Sequence, residues 1–376
     1  MRELNSILKA WRVDPAAKGV LATVVHVEGS AYRRPGARML ICHDGSRIGT
    51  ISGGCLEGDV ARKAAWWTAD GKPTLRVYDT SSDEDVVWEF GLGCNGVIYV
   101  LLEPVESASA QALLEFLDQG QKERTDQVVA TIVRTLPGST YLVGDHFFGS
   151  QLLTGELRAA ADKAMETRRS LLLHLQDADV FVEFIAPPQK LVIFGAGHDV
   201  VPVVAAAAPL GWEITVADVR SGYAKADRFP GAARVALLPP SGCLGDVNVD
   251  SDTAVVFITH NYNLDAKLLP QVLPHKPCYL GLLGPKRRTT KLFAEIGLDP
   301  ALYDLHAPAG LDVGGDSPEA IALSIVSEIQ SHLSGRAGGS LRWRSGPIHA
   351  PVNEVGQAAK LEKLESTLVL CETTHG

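Results

Sequence analysis

Six cysteines are scattered through the 376 residues (Cys42, Cys55, Cys94, Cys243, Cys278 and Cys371), and no two form a C-x-x-C pair. Neither an iron–sulfur cluster nor a zinc knuckle is signalled, and in a reducing compartment all six should be thiols. A functional cysteine must therefore act singly or with a partner distant in sequence. The chain also lacks an apolar run of membrane-spanning length, and Met1-Arg-Glu-Leu-Asn has no signal-peptide core. A cytoplasmic protein with no membrane contact is expected. Positive charge is in deficit, with 35 Lys and Arg against 44 Asp and Glu for a net −9. That balance speaks against nucleic acid as the main partner.

What remains is ordinary globular composition, 46% hydrophobic and 21% charged, long enough for about two or three domains. The most informative stretch is Lys190-Leu-Val-Ile-Phe-Gly-Ala-Gly-His198. An apolar strand, a two-glycine turn and an Ala-rich helix start would read this way. Gly195 and Gly197 let the backbone turn sharply and let a phosphate approach the helix N-terminus. About twenty residues on, Glu213–Asp218 supplies a second strand ending in a carboxylate, where a ribose hydroxyl would be read. Val200 occupies the third glycine position of that fingerprint. Two readings stay open: a nucleotide-like ligand, or only the first turn of a doubly wound sheet.

The first half looks duplicated, with copies at about 19–105 and 127–188. Gly19-Val-Leu-Ala-Thr-Val-Val-His and Gln127-Val-Val-Ala-Thr-Ile-Val-Arg open them. Each continues with a short strand (38–42; 140–143), a helix (57–65; 156–164) and two closing strands (75–78 with 97–101; 171–174 with 180–184). Only the first copy carries Thr50-Ile-Ser-Gly-Gly-Cys-Leu-Glu-Gly58 and the extra Asp83–Gly96. What the copies share serves folding; what one alone has is free for function. Both exceptional pieces hold a glycine-flanked cysteine. Cys55 precedes a helix whose first turn contains Glu57, and free N–H groups there push a thiol toward thiolate. Cys94 sits between Gly93 and Asn95-Gly96 in an equally tight turn. The alternative for either is a small buried residue packed in a crowded turn.

Pro187-Pro188 marks the boundary to the second half, where strands at 234–238, 254–259 and 278–283 alternate with helices. That pattern gives a parallel sheet with helices on both faces and ligands beyond the strands' carboxyl ends. Polar clusters fall there: Gly197-His198, Asp218-Val-Arg220, Thr259-His260-Asn-Tyr-Asn-Leu-Asp265, Gly281–Arg288 and His306–Asp312. Lys286, Arg287 and Arg288 load a helix N-terminus with positive charge, which is sensible mainly where an anion sits. Ser317 is a cap for a helix over 319–329 with Pro318 first inside. Residues 335–352 read as a loose linker, and 354–370 as a short amphipathic helix. The expected fold is α/β: a duplicated α+β domain (1–188), a Rossmann-like doubly wound parallel sheet domain (189–334), then linker and tail (335–376).

These residues resemble the XdhC/CoxI family, accessory proteins of xanthine dehydrogenase and related molybdenum hydroxylases. The resemblance covers most of 19–330. It rests on Glu28-Gly-Ser30, Ser52-Gly-Gly-Cys-Leu-Glu-Gly58, Gly91-Leu-Gly-Cys-Asn-Gly96, Phe194-Gly-Ala-Gly-His198, Tyr279-Leu-Gly-Leu-Leu-Gly284 and His306-Ala-Pro-Ala-Gly-Leu-Asp312. It implies a maturation factor that binds molybdenum cofactor, as molybdopterin or its dinucleotide form. The factor protects the cofactor while a cysteine desulfurase installs the terminal sulfur, then hands it to the apo-hydroxylase. In that picture Cys55, with Cys94, lies near the metal, and the Rossmann-like half holds the pterin phosphate or a nucleotide. Candidate cofactor contacts are Cys55, Glu57, Cys94 and Asn95, then Gly195, Gly197, His198, Asp218, Arg220, His260, Arg287 and Arg288. Thr259-His-Asn-Tyr departs from the Thr-His-Asp-His frequent in the family, which puts ligand roles at 261 and 262 in doubt. No catalytic residue is assigned, and a homodimer is expected. The rival reading is an NAD(P)-dependent oxidoreductase using the same Gly195/Gly197 turn, with His198 or His260 as acid or base. A component of xanthine dehydrogenase itself is disfavoured, because iron–sulfur cysteine spacing is missing.

Overall fold

Alternation of β-branched and small residues makes two near-identical strands the spine of the first half. In β1 (Gly19–Gly29), Val20, Ala22 and Val24 face one way, beneath Val60 and Ala64 of a helix over Glu57–Trp67. In the strand Gln127–Thr135, Val128, Ala130 and Ile132 do the same beneath Ala160, Ala161 and Ala164 of a helix over Gly155–Thr167. The computed structural model describes residues 2–54, 56–79, 96–152, 155–346, 348 and 353–355. They divide into two compact units, 3–187 with 353–355, and 188–348.

The first unit continues from β1 with β2 (Arg38–Cys42), β3 (Arg47–Gly49), β4 (Thr74–Asp79) and β5 (Gly96–Pro104). Its second sheet holds β6 (Gln127–Thr135), β7 (His146–Phe147), β8 (Leu171–His174) and β9 (Ala178–Ile185). The orders are β3-β2-β1-β5-β4 and, with Asn353–Val355 as an added edge strand, 353–355-β8-β9-β6-β7. The antiparallel run β2-β1-β5-β4 is thus repeated as β7-β6-β9-β8. Even the register irregularity recurs, between Val24 and His26 in β1 and between Ile132 and Arg134 in β6.

Two expectations need correction here. Thr140–Val143 is a turn, not a strand: Asp145 accepts from the Leu142 N–H at 2.8 Å, and its own N–H donates to the Leu142 carbonyl. Pairing with β6 resumes only at His146–Phe147. Glu354 begins no helix but belongs to the strand Asn353–Val355, which pairs parallel with β8. The remainder of the expected helix at 354–370 lies outside the described residues. Two helices had no sequence assignment, α1 (Arg2–Val13) and one over Ala108–Glu123. Both pack against the other side of the sheets, with Leu21 of β1 and Val129 of β6 in one cluster.

Between that cluster and a second one around Val25, Leu101, Val133, Leu172 and Phe181 lies a buried polar layer. Arg38 makes a bidentate ion pair with Glu183, Nη1 to Oε1 being 2.8 Å, and both side chains are buried. His146 Nε2 lies 2.7 Å from Glu103 Oε1, also buried, and His146 Nδ1 lies 2.9 Å from the Thr131 hydroxyl. The strand registers make these equivalent. Arg38 stands opposite Thr23 as His146 stands opposite Thr131, and Glu103 opposite Leu21 as Glu183 opposite Val129. Each pair joins one copy to the other.

In the second unit all strands are parallel, in the order β12-β11-β10-β13-β14-β15. These are β10 (Lys190–Phe194), β11 (Glu213–Asp218), β12 (Arg234–Leu237), β13 (Thr253–Phe257), β14 (Tyr279–Leu282) and β15 (Leu305–His306). Naming the helices in chain order, α2 is Glu57–Trp67, α3 Ala108–Glu123, α4 Gly155–Thr167, α5 Val200–Ala207, α6 Tyr262–Val272, α7 Lys286–Glu295 and α8 Pro318–Leu333. α5 and α8 cover one sheet face through Val203, Val204, Ile325 and Ile329. α6 and α7 cover the other through Leu268, Leu269, Leu292 and Phe293. The strand order reverses between β10 and β13, so the crevice for a ligand opens beyond their carboxyl ends. No helix among the described residues is long and apolar enough to cross a membrane.

Removing one partner of a buried pair strands a charge at a cost of about 3–5 kcal/mol, whereas replacing both by apolar groups is often neutral. Arg38→Met should therefore lower the unfolding free energy by about 3 kcal/mol, and Arg38→Met with Glu183→Leu should recover most of it. Urea denaturation measures both. A single variant within 1 kcal/mol of wild type would show that the pair does not hold the sheets (about 1 kcal/mol is the ordinary effect of a substitution).

Candidate functional site

The first candidate region is the loop that leads into α2. Glu57, in the helix's first turn, is buried and turns its carboxylate back onto the loop. It accepts from the N–H groups of Ile51 (3.1 Å), Ser52 (2.8 Å) and Gly54 (3.1 Å), from the Ser52 hydroxyl (2.5 Å) and from the Thr50 hydroxyl. Burial pushes this carboxyl up, but the bonds from Ser52, Thr50 and the loop backbone outweigh it and bring it down to about 2. Glu57 thus holds the loop rather than reaching for a ligand. Gly54 has φ +116° and open space where a side chain would start, while Gly53 lies against the Tyr32 ring. Gly96 sits on the carbonyls of Glu28 and Ser30, leaving no room for a Cβ. The turn after β1, the glycine loop and the start of β5 therefore converge at one end of the first sheet. Cys55, Cys94 and Asn95 lie outside the described residues. Cys42, Cys243 and Cys278 are free thiols. Arg33, in the turn after β1, is ion-paired with Glu3 of α1.

The second region is the turn after β10. Gly195 has φ +116°, its N–H donates to the Ala217 carbonyl at 2.8 Å, and a Cβ there would strike the Ile258 carbonyl. Glycine is required by close packing as much as by any ligand. Asp218, 1% exposed, accepts from the Ala196 N–H at 2.8 Å and binds the Arg220 guanidinium at 2.9 and 2.6 Å. Burial acts to raise its carboxyl, but Arg220 and the two backbone N–H bonds hold it below the usual carboxylate range. Both its oxygens are engaged, so the ribose-reading role expected of it has no free acceptor. Arg220 lies over the Tyr223 ring at 4.1 Å, with Arg228 at 5.1 Å and the His198 ring 6.5 Å away. Arg228 Nη1 donates to the carbonyls of Ala196 (2.7 Å) and Tyr223 (2.8 Å), while its Nη2 is buried without a partner.

Beyond the ends of β11 and β13 a cavity of about 370 Å³ is lined by Asp218, Arg220, Thr259, His260, Asn261 and Tyr262, among others. His260 adopts φ +52° and places Nε2 2.6 Å from Asp199 Oδ2 at the start of α5. Asn261 caps α6 by accepting from the Leu264 N–H, and the Tyr262 hydroxyl donates to Glu295. Positions 261 and 262 thus serve the helices around the cavity. Arg288 binds Asp265, which is 2% exposed, at 2.6 Å, so it answers a buried carboxylate in place of an outside anion. Arg287 is exposed on the same turn. The structure brings Gly195, Gly197, His198, Asp218, Arg220 and His260 together around one turn and cavity. Arg228, Tyr223 and Asp199 join them without any sequence signal, because only the fold returns residues 223–228 to the 195–197 turn.

Comparison with known proteins decides the family. The XdhC Rossmann domain matches residues 191–329, and the XdhC and CoxI family matches 13–79. A probable xanthine dehydrogenase subunit from Bacillus subtilis (strain 168) is 34% identical over 336 residues, 88% of this chain and 97% of the relative. The chain belongs to the XdhC and CoxI family. The chain is also similar to the molybdenum cofactor insertion chaperone PaoD of Escherichia coli (strain K12), 26% identical over 83% of this chain and 82% of that relative. The crystal structure of a xanthine dehydrogenase from Bacillus halodurans superposes with TM-score 0.73 at 30% identity, covering 91% of this chain and 98% of that one.

Because the folded carboxyl of Glu57 lies at about 2 against an ordinary 4.5, its stabilising effect is full above pH 4.5 and is lost as pH falls toward 2. Glu57→Gln should be less stable than wild type at neutral pH, with the difference shrinking steadily across that window. Denaturation followed by circular dichroism at several pH values reads this. A difference independent of pH would show that the charge on Glu57 does not hold the loop.

Proposed function

We propose that this XdhC family member is a maturation factor without turnover of its own. It binds molybdenum cofactor, as molybdopterin or its dinucleotide, holds it while a cysteine desulfurase supplies the terminal sulfur, and delivers it to a xanthine dehydrogenase-type apo-hydroxylase. In this reading the chain works in the cytoplasm as a homodimer. The observation that carries it is the Glu57-clamped glycine loop flanking Cys55, which the second sheet's sequence does not repeat. When bound, the cofactor supplies the molybdenum centre and its exchangeable sulfur ligand.

The residues fit such a guest. Gly54, next to Cys55 in sequence, offers open backbone, and Glu57 clamps the loop at Ser52 and Gly54. We assign Cys55 to the metal end, with Cys94 as its neighbour in role. In the second unit the unpartnered Arg228 Nη2, with Arg220 and His198, suits an oxyanion such as a phosphate at the Gly195–Gly197 turn. A Rossmann turn also fits NAD(P), as the strand order favours. Against that reading stand Val200 at the third glycine position and an Asp218 already saturated by Arg220 and the Ala196 N–H.

The discriminating experiment measures binding of molybdenum cofactor and, separately, of NAD(P)H to the purified protein under anaerobic, reducing conditions. We expect cofactor binding that falls at least tenfold in Cys55→Ala and no nicotinamide binding, a loss of about 1.4 kcal/mol or more. Tight NAD(P)H binding without cofactor uptake would overturn the maturation reading. Unchanged client activation by Cys55→Ala would remove that thiol from the function.

A further inference from the structure

One motif of the sequence is not absorbed by this function: His306–Asp312, which begins at the end of β15. His306 stands in β15 opposite Gly281 of β14. His332 sits in the last turn of α8, and its Nε2 reaches the carbonyl of Cys278, one residue ahead of β14, at 2.8 Å. His332 is therefore at the amino end of β14, while His306 closes the edge strand β15, and neither lines the cavity beyond β11 and β13. With Asp304 they form a cluster whose potential ligand atoms all lie within 4.8 Å of one another. His306 Nε2 to Asp304 Oδ1 and His332 Nε2 to Asp304 Oδ2 are each 3.8 Å. The two imidazole rings stand nearly perpendicular, centroids 5.0 Å apart.

We propose that Asp304, His306 and His332 form a binding site for a divalent transition cation of the zinc class, tying β15 to the end of α8. The first ground is His306. Its Nε2 is buried with no hydrogen-bond partner, an orphan atom that would accept a metal. Its Nδ1 lies 3.3 Å from Glu328 Oε1, the carboxylate–histidine arrangement that directs the opposite nitrogen's lone pair at a metal. Glu328 is itself fixed, because its Oε2 accepts from the Tyr279 hydroxyl at 2.6 Å and the Gly310 N–H at 2.7 Å. Tyr279 also stacks on the His306 ring at 4.4 Å. The imidazole is thus held from behind by a carboxylate and on one face by an aromatic ring.

The second ground is the donor set. Two imidazoles and one carboxylate suit Zn²⁺ and neighbouring divalent ions rather than Mg²⁺ or Ca²⁺. Ligands at about 2.0–2.2 Å around a tetrahedral zinc stand about 3.3–3.5 Å apart, so each Asp304–histidine separation must shorten by a few tenths of an ångström from 3.8 Å. Asp304 can make that move: its side chain is 80% exposed, just ahead of β15. His332 would give up the Cys278 carbonyl or use its other ring nitrogen. A fourth position is left for water. The site does not depend on the cofactor reading, and neither result decides the other.

The test uses the full chain, stripped with a chelator and titrated with Co²⁺ (read by its visible absorption) and with Zn²⁺ against a chromophoric chelator. Wild type should bind one equivalent that His306→Gln, His332→Gln and Asp304→Asn each weaken at least tenfold. Glu328→Gln should weaken it about tenfold, as outer partners of ligating histidines do. Zn²⁺ should raise the thermal midpoint of wild type and not that of the His306→Gln/His332→Gln double variant. His275→Gln, an exposed histidine elsewhere on this unit, should change nothing. Asp304→Asn alters only a surface group, so it remains decisive should a histidine variant misfold. Less than half an equivalent bound by wild type, or equal affinity in wild type, Asp304→Asn and the double variant, would overturn the site.

Discussion

The ion pair of Arg38 with Glu183, and its twin of His146 with Glu103, is the constraint on which the first unit depends. Each carboxylate is on the copy opposite its partner, so neither copy can satisfy its own buried polar group. A buried pair contributes little net stability against an apolar substitute, yet a wrong partner or register would leave charges stranded at several kcal/mol each. The layer therefore selects one arrangement of the two sheets. The apolar clusters on either side, around Leu21 with Val129 and around Val25 with Val133, supply the bulk of the burial. The frame is secured by elements present in both copies, whereas Thr50–Gly58 has no counterpart in the second copy's sequence.

That division explains which parts of the fold were visible in the sequence. β1 and β6 were, because the same run of small and β-branched residues opens both copies, and so were β10, β11, β13 and β14, whose burial on both faces makes each an apolar run. Thr140–Val143 misled because its apolar residues imitate a strand, while the Asp145 carboxylate and backbone close a turn there. The position of β7 follows instead from His146, whose partner Glu103 is 43 residues away in the other copy. α1 and α3 bury their stripes against residues drawn from both sheets, a surface that exists only after the copies have met. The strand at 353–355 is likewise fixed by Leu171–Leu173, far away in sequence.

The candidate sites divide along the same line. Glycine positions were readable because backbone conformation is local: Gly54 and Gly195 each hold φ +116°. What charged side chains already hold was not readable. Asp218 has the spacing of a ribose acceptor but is closed by Arg220, and Arg288 has the placement of an anion ligand but answers Asp265. Arg228, with no motif around it, is the residue left with an unmatched donor near the Gly195–Gly197 turn. Spacing reports where a chain must turn. It does not report which charges cancel once the turn is made.

The two units nevertheless use one device. In each, a buried carboxylate at the end of the segment accepts the backbone N–H groups of the glycine turn beside it. Glu57 does so for Ile51, Ser52 and Gly54, and Asp218 for Ala196. In both the hydrogen bonds outweigh burial and keep the carboxyl ionised well below neutral pH. The N–H groups of Ile51, Ser52 and Gly54 in the first unit, and of Gly195 and Ala196 in the second, are thus spent inward. Under the proposed reading, selectivity for an anionic guest would then fall to the side chains around the turn. For the second unit those side chains are Arg220, Arg228 and His198. The absence of a third glycine at Val200 is consistent with that shift, since a guest held by guanidinium groups does not need the closest backbone approach that glycines allow.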